Sequence, residues 1–358
     1  MTNDVTQHPE SLTWNEIVSQ GTVWKSVIGE LGSSASMESV LSSGRKARSW
    51  LFVGCGTSFY LAESAAACWT ILTGQPARAL PASEVLLYPA LTCRQDDHVQ
   101  AVVISRSGHT SEAIRAARAL KRELRFPTIG VTCAQSSELE AECDVTLVLA
   151  AADDQSTVMT SSFTTMLISL QYLGARCRGN AEFIQSLLEM ANQAELLIPS
   201  LAAKIESFVK TRSFADYVFL GQGPFYGIAR EAALKVMEMS CSYSQAFHSL
   251  EFRHGPKAIV SPQTCLTFYL SDTAPQAETE VLQEMKDLGA ATVTVCNVAS
   301  KEVRDASDLV MEVNVSGNEL ARLAPYSLPA QLMGFYTGIA KGLNPDHPKN
   351  LTRVVVLD

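Results

Sequence analysis

The feature of this sequence that most limits its fold is an internal repeat. Three segments of the first half recur in the same order in the second half, at nearly constant offsets of 167, 166 and 164 residues: 51–56 with 218–223, 103–105 with 269–271, and 128–131 with 292–295. Solenoid repeats have periods several-fold shorter than this, so the pattern indicates a duplicated domain. We expect one domain over 1–200 and a second over 201–358.

Within each copy, short apolar runs alternate with segments of helical spacing. The first copy contains five runs typical of strands: 50–54, 77–80, 102–104, 127–132 and 145–149. Strands that alternate with helices predict an α/β fold in which a parallel sheet is covered on both faces, as in a flavodoxin-like or Rossmann-like three-layer sandwich. Residues 1–44 are polar and helix-compatible, and we interpret them as a helical lead-in without chemistry.

Composition limits the classes of partner. The 358 residues carry a formal net charge of −9, which argues against a nucleic acid or an anionic membrane. The longest apolar runs are too short for a membrane span, and the first residues do not begin a signal peptide. The nine cysteines include no Cys-x-x-Cys pair. That pattern favours reduced thiols in the cytoplasm over disulfides or a metal site.

A loop rich in hydroxyl groups follows the apolar run 102–104. It comprises Ser105, Arg106, Ser107, Gly108, His109 and Thr110. A strand that ends where a helix begins leaves backbone N–H groups unpaired, and such a site suits a phosphate group. The alternative is an ordinary strand-to-helix turn with a serine or threonine cap.

The second copy has lost the character of this loop. At an offset of 166 residues, Thr273, Ala274 and Gln276 replace Ser107, Gly108 and Thr110. The sequence therefore predicts a phosphate site in the first copy alone.

A polar stripe marks the second copy instead. Glu231, Lys235 and Glu238 occur at i, i+4 and i+7 in a largely apolar segment, and these positions share one helical face. One interpretation is a solvated helix edge with a Glu–Lys pair. The other follows from the strand end at 221–223, where open α/β sheets hold ligands. A carboxylate in such a cleft tends to have the raised pKa that a general base needs.

A second candidate group surrounds His254. Gly255 and Pro256 end any helix, so His254 lies in a turn, flanked by Glu251, Arg253 and Lys257. A lone histidine is most often structural, but a loop this dense in titratable groups is also a candidate site.

Taken together, these stretches resemble the sugar isomerase (SIS) family over residues 50–358. The segments that carry the resemblance are Cys55-Gly56-Thr57-Ser58, Ser105-Arg106-Ser107-Gly108-His109-Thr110, Met159-Thr160-Ser161-Ser162-Phe163-Thr164-Thr165, Arg230-Glu231-Ala232-Ala233-Leu234-Lys235, Phe252-Arg253-His254-Gly255-Pro256-Lys257 and Asn350-Leu351-Thr352-Arg353-Val354. Their order is similar to the isomerase half of glucosamine-6-phosphate synthase. In detail the chain looks closer to the galactosamine-6-phosphate deaminase/isomerase branch.

The resemblance implies an enzyme with two SIS domains that acts on a sugar phosphate without a cofactor or metal, usually as a homodimer. It implies that one set of residues holds the phosphate: Thr57, Ser58, Ser105, Arg106, Ser107 and Thr110. Glu238 matches the base that moves a proton between C1 and C2, and His254 matches the histidine that assists ring opening, often from the partner subunit. Further substrate-site candidates are Gly56, Thr160, Glu231, Lys235 and Arg353. We prefer Glu238 to Glu231 as the base because Glu231 precedes Lys235 by four residues, the better order for an ion pair.

Two departures from the synthase shift the expected reaction. The sequence begins without a glutaminase domain, and Arg353 stands where the synthase has a lysine that engages the open-chain sugar. An arginine stays protonated and does not form a Schiff base. We therefore expect isomerisation of a hexose 6-phosphate or deamination of an amino-hexose 6-phosphate. A fructosamine-6-phosphate deglycase and a non-catalytic sugar-phosphate sensor are the alternatives.

Overall fold

The computed structural model describes residues 8, 10–92 and 98–357. The chain divides into two compact units. The first unit comprises Thr22–Asp154, Ser161–Ala191 and Thr352–Asp358, and the second comprises Met1–Gly21, Gln155–Thr160 and Asn192–Leu351.

The first unit is built on a parallel sheet of five strands. These are β1 (Ser49–Gly54), β2 (Ala77–Pro81), β3 (Val99–Ile104), β4 (Thr128–Thr132) and β5 (Val145–Val148). They lie in the order β2-β1-β3-β4-β5. The helices of this part of the chain are α1 (Leu12–Leu31), α2 (Ala35–Ser43), α3 (Thr57–Thr73), α4 (Ala82–Leu87), α5 (Ser111–Arg122), α6 (Glu138–Glu142), α7 (Ser161–Arg178) and α8 (Ala181–Thr211).

The second unit repeats this plan. Its strands are β6 (Asp216–Gly221), β7 (Tyr243–His248), β8 (Thr264–Tyr269), β9 (Ala291–Cys296) and β10 (Leu309–Glu312). They pair in parallel in the order β7-β6-β8-β9-β10, which is the order of the first sheet strand for strand. The remaining helices are α9 (Pro224–Ser240), α10 (Pro275–Asp287), α11 (Lys301–Asp305) and α12 (Leu323–Ala340). The predicted α/β fold with a duplicated parallel sheet is confirmed.

Burial explains why the central strands are so apolar. All residues of β3, β4, β8 and β9 are buried. Helices cover both faces of such a sheet, so the side chains on either side of each strand are shielded from water. The two cores are also anchored alike, because Asp144 accepts the Thr128 N–H at 2.8 Å and Asp308 accepts the Thr292 N–H at 2.9 Å.

Some local details differ from the expectation. Within the helical lead-in expected over residues 1–44, the described residues form the long helix α1 and the shorter helix α2. Gly21 allows α1 to approach α8 closely, because a Cβ there would lie 3.0 Å from the backbone nitrogen of Glu195. The domain boundary expected after residue 200 falls within α8 and stays a prediction. No helix in the described part of the chain has an apolar stretch long enough to cross a bilayer.

Candidate active site

The 105–110 loop connects β3 to α5 through a tight turn. Gly108 has a φ of +63°, and a Cβ at this position would lie 2.4 Å from the side chain of Ser137. Only glycine fits this backbone without displacing Ser137. The sequence folds locally in this way because the apolar strand ends at Ile104 and α5 begins at Ser111.

Backbone contacts fix the hydroxyl groups of this loop. The Ser105 Oγ accepts the Gly108 N–H at 3.2 Å and donates to the Thr110 Oγ1 at 3.3 Å, and the Ser107 Oγ accepts the His109 N–H at 3.2 Å. Ser105 and Ser107 are buried. These bonds leave the hydroxyl hydrogens of Ser107 and Thr110 available to an anion.

The neighbouring loop, between β1 and α3, holds the other predicted phosphate residues. Thr57 and Ser58 are buried in the first turn of α3, and Gly56 precedes them with a φ of +53°. Because β1 and β3 are adjacent parallel strands, their carboxyl ends place both loops at one edge of the first sheet.

Arg106 is directed toward the C-terminal segment of the chain. Its Nη2 donates to the Arg353 carbonyl at 2.7 Å, and its own carbonyl accepts the Cys133 N–H at 2.9 Å. Burial lowers the pKa of Arg106, and the nearby carboxylate of Asp154 partly offsets this effect. An arginine so placed remains charged near neutral pH.

Arg353 anchors that C-terminal segment rather than standing free. Its guanidinium donates to the Asp154 carbonyl at 2.7 and 3.1 Å and to the Asp153 Oδ1 at 2.7 Å. Two residues further on, the Val355 carbonyl accepts the N–H of Ser111 at 3.2 Å. The segment 352–357 therefore packs beside the 105–110 loop, a contact that sequence reasoning missed because nearly 250 residues separate the partners.

Thr160 lies in the second unit and is fully buried. Its carbonyl accepts a hydrogen bond from the Gln331 Nε2 at 3.3 Å. Its predicted contact with substrate stays a prediction.

The polar stripe of α9 is not a solvated edge. Glu231 and Lys235 have side chains that are 1% exposed, and Glu238 is 18% exposed. The Lys235 Nζ lies 3.3 Å from the Glu231 Oε1 and also contacts the Glu238 Oε2. One buried ammonium thus bridges two carboxylates. The predicted Glu231–Lys235 pair is present, but ion pairing does not distinguish the two carboxylates as the sequence argument assumed.

Electrostatics keep this lysine charged. Burial acts to lower the pKa of Lys235, but Glu231 and Glu238 together outweigh it and raise the pKa above its usual value. Glu238 is the more accessible of the two carboxylates, so it is the one that a ligand can reach.

His254 lies on an exposed turn that is held from one side. The Glu284 carboxylate on α10 accepts from the Arg253 Nε at 2.7 Å and from the Lys257 Nζ at 2.6 Å. The imidazole itself forms no hydrogen bond to the described residues. Sequence reasoning missed Glu284, since only the fold brings a residue 31 positions after Arg253 into contact with it.

Sequence reasoning also missed a second histidine, which lies at the carboxyl end of the second sheet. His248 ends β7 opposite Gly221, and its ring stacks on Tyr226 with centroids 3.7 Å apart. Burial lowers the pKa of His248, and Glu251 partly opposes this. No group of three or more histidine, cysteine or acidic side chains suited to a metal ion occurs among the described residues.

Comparison with known proteins gives a family match across both sheets. The model of the SIS domain matches residues 45–176 and 216–339. A glutamine–fructose-6-phosphate aminotransferase (isomerizing) from Pyrobaculum aerophilum is 29% identical over 90% of this chain and 54% of its own length. The chain spans about half the length of this and similar relatives.

Other relatives match over nearly their whole length. A protein of Streptomyces coelicolor, provisionally named D-galactosamine-6-phosphate deaminase AgaS, is 30% identical over 94% of this chain and 91% of its own. The crystal structure of glucosamine-6-phosphate deaminase from Thermotoga maritima has a TM-score of 0.79 at 28% identity, covering 97% of this chain and 100% of its own. Tagatose-6-phosphate ketose/aldose isomerase from Escherichia coli shares the fold, with a TM-score of 0.84 at 21% identity over 96% of this chain and 98% of its own.

Proposed function

This chain belongs to the SIS domain family, and on that premise we propose that it is a phosphosugar isomerase that deaminates an amino-hexose 6-phosphate. The buried group of Glu231, Lys235 and Glu238 carries the proposal. Removing one cation and two carboxylates from water is costly, and buried charged groups of this kind are concentrated at functional sites. The deaminases among the relatives support this choice of substrate class.

The first unit supplies the binding of phosphate. Ser107 and Thr110 present hydroxyl donors at the start of α5, and Thr57 and Ser58 do so at the start of α3. Hydroxyl groups donate hydrogen bonds to a phosphate, and the N-terminus of a helix adds the favourable field of the helix dipole. Because the chain has a net charge of −9, it repels an anionic substrate at long range, and this local positive field offsets the repulsion at the binding site.

The second unit supplies the proton transfer. Glu238 removes the proton from C2 of the open-chain sugar, which gives an enolamine when C2 bears an amino group. Return of the proton to C1 gives an imine at C2, and addition of water then releases ammonia and leaves a ketose 6-phosphate. Lys235 holds the Glu238 carboxylate in place through the contact with its Oε2.

His254 assists ring opening by moving a proton from the C1 hydroxyl to the ring oxygen. Its exposure and its lack of partners among the described residues fit a side chain that is completed by a ligand or by a second subunit. We therefore also propose that the enzyme acts as a homodimer. The lack of a Cys-x-x-Cys pair among its nine cysteines supports the further proposal that it acts in the cytoplasm.

The test is a substrate panel. The protein is incubated with the 6-phosphates of glucosamine, galactosamine, fructosamine and glucose, and both ammonia and ketose are assayed. We expect equal amounts of ammonia and ketose 6-phosphate from one amino-hexose phosphate, and formation of both products about 10²–10⁴-fold slower with the Glu238→Gln variant. Binding of every sugar phosphate without turnover would favour the sensor, and product from fructosamine 6-phosphate alone would favour the deglycase.

A further inference from the structure

We propose that the first unit has a second anion site, a basic cavity that binds an organic phosphate. The basic cavity has a volume of about 370 Å³ and is lined by Glu38, Arg45, Trp50, Gln75, Arg176 and Arg178. It lies at the start of β1 and the end of α7. The 105–110 loop follows the carboxyl end of β3, so the two sites occupy opposite edges of the same parallel sheet.

The charge of the basic cavity is not balanced by its own residues. The Arg176 Nη2 lies 2.5 Å from the Glu38 Oε1, which neutralises one of the three guanidinium groups. Arg45 and Arg178 have no ion-pair or hydrogen-bond partner among the residues that the structure describes. Two uncompensated positive charges in a chain with a net charge of −9 match one phosphate dianion.

The floor of the basic cavity is rigid. The Trp50 Nε1 donates to the Gln75 Oε1 at 2.9 Å, and the Gln75 Nε2 donates to the Ala47 carbonyl at 2.9 Å. A Cβ on Gly44 would lie 2.7 Å from the Trp50 ring, so the backbone there is packed directly on the indole. A preformed floor reduces the entropy that a ligand loses by ordering its site.

The duplication provides an internal comparison for this cavity. The second copy has a cavity of about 370 Å³ at the matching place, where Tyr217 and Arg212 correspond to Trp50 and Arg45 at an offset of 167. All three of its cations have partners: Arg212 with Asp308 at 3.3 Å, Lys210 with Glu206 at 2.6 Å, and Lys341 with Ser242 at 2.7 Å. Carboxylates therefore pair with two of the three cations in the second cavity and with one of the three in the first.

The ligand follows from charge and size. Guanidinium groups bind phosphate oxygens in pairs with favourable geometry. The volume is within the range of small-molecule pockets and larger than a phosphate ion, so it leaves room for an organic part. At the end of α7, the carbonyls of Arg176 and Ala175 accept the N–H groups of Gly179 and Asn180, which reduces the repulsion of an anion by the helix end.

The test uses calorimetry on the full chain with sorbitol 6-phosphate, which has no carbonyl group and cannot be isomerised. We expect two molecules bound per chain. The double variant Arg45→Gln, Arg178→Gln should weaken one of them at least about tenfold, the loss expected for one hydrogen bond between charged groups. Ser107→Ala should weaken the other. Lys46→Gln is the matched control, because Lys46 is adjacent to Arg45 but lines a different cavity.

Two further readouts sharpen the result. Tryptophan emission should change in step with the site that the double variant removes, since Trp50 lines the basic cavity. Inorganic phosphate should bind there more weakly than sorbitol 6-phosphate, and equal affinity would contradict an organic ligand. A single bound molecule that Ser107→Ala abolishes, or a double variant that binds like the wild type at an unchanged Tm, would overturn the proposal.

Discussion

The loops that follow β3 and β8 are copies of one structure, but they use their donors differently. In the second copy, the N–H and Oγ of Ser271 donate to the Glu278 Oε2 at 2.7 and 3.0 Å. The Asp272 N–H donates to the Glu319 Oε2 at 2.7 Å, and the Thr273 hydroxyl also contacts Glu319. Carboxylates of the protein itself therefore occupy the donors of the second loop.

In the first loop, the hydroxyl groups of Ser105, Ser107 and Thr110 donate to no carboxylate of the described residues, and Glu138 contacts the ring of His109 at 3.2 Å. The N–H of Ser105, which matches Ser271, is taken by the Val131 carbonyl at 3.0 Å, and the hydroxyl hydrogen of Ser107 has no acceptor among the described residues. Glu112 matches Glu278 at an offset of 166, but it is half-buried and accepts no hydrogen bond from the loop in the described structure. The two copies thus share one architecture but differ in the position of their carboxylates. The donors of the loop after β8 are bound by Glu278 and Glu319, whereas the hydroxyl groups of the 105–110 loop stay available to an anion.

The largest effect should come from the carboxylate that only the second copy carries. Glu238→Gln keeps the shape of the side chain and removes the base, so kcat should fall about 10²–10⁴-fold, the usual range for a general base. Affinity for the sugar phosphate should change little, since the donors of the first loop remain. Steady-state kinetics and calorimetry measure the two effects separately.

The matched control is Glu280→Gln, an exposed carboxylate on α10 that should leave turnover unchanged. If Glu238→Gln kept near-normal turnover on a substrate that the wild type converts, Glu238 would not be the base. Glu231, the other carboxylate held by Lys235, would then be tested.

The two loops can be compared directly by matched substitutions. Ser107→Ala removes a hydrogen bond to a charged group, which is worth roughly 1.5–3 kcal/mol, or about 10–150-fold in affinity. Thr273→Ala makes the corresponding change in the loop that Glu319 already occupies, and it should leave sugar-phosphate affinity unchanged. Equal losses in calorimetry for both variants would mean that the second loop also binds phosphate.

The carboxyl group of Glu278, which binds the loop after β8, should make the unfolding free energy depend on pH. Burial raises the pKa of Glu278 to about 7 from an ordinary value of 4.5, although its bonds with Ser271 oppose the shift. A carboxyl group with a raised pKa in the folded state stabilises the protein when it is protonated. That contribution is fully present below about pH 4.5 and is lost as pH rises through about 7.

Glu278→Gln removes this titration. Relative to the wild type, the variant should gain on the order of 2 kcal/mol in unfolding free energy between pH 5 and pH 8. Urea unfolding at the two pH values measures the difference. Parallel pH profiles for the two proteins would show that Glu278 does not titrate in this range.

The smallest effect concerns the anchor of the His254 turn. The position that matches Glu284 in the first copy is Arg118, which pairs with Glu142 at 2.7 Å, so the carboxylate at this position belongs to the second copy. The bonds of Glu284 are partly exposed, and pairs of this kind contribute about 1 kcal/mol or less. Glu284→Gln should therefore lower turnover of a cyclic sugar phosphate only about two- to fivefold.

An analogue without the 4- and 5-hydroxyl groups, which can close neither a furanose nor a pyranose ring, separates an effect on ring opening from general damage. Its turnover should be unaffected by Glu284→Gln, and Glu284→Asp should restore part of the activity on the cyclic substrate. Equal losses on both substrates would contradict a role in ring opening.

Much of this molecule could be predicted from the sequence because its signals are local. Buried strands such as β3 and β8 are continuous apolar runs. The nearly constant offset between the repeated segments predicts the same fold for both halves of the chain. The 105–110 loop was predictable because a strand end, a glycine and a helix start lie within a few residues. The spacing of Glu231, Lys235 and Glu238 likewise places them on one helical face.

What the sequence could not determine is how side chains far apart in the chain share their partners. Arg353 and Arg118 look equally basic in the sequence, but one anchors the C-terminal segment on Asp154 and the other pairs with Glu142 on the surface. The burial of Lys235 between two carboxylates, the closure of the second loop by Glu278 and Glu319, and the two unpaired arginines of the basic cavity were decided by the tertiary structure alone. The physical reason is that periodicity fixes the face on which a side chain lies, whereas its charge state and its partners depend on contacts made only when distant segments pack together.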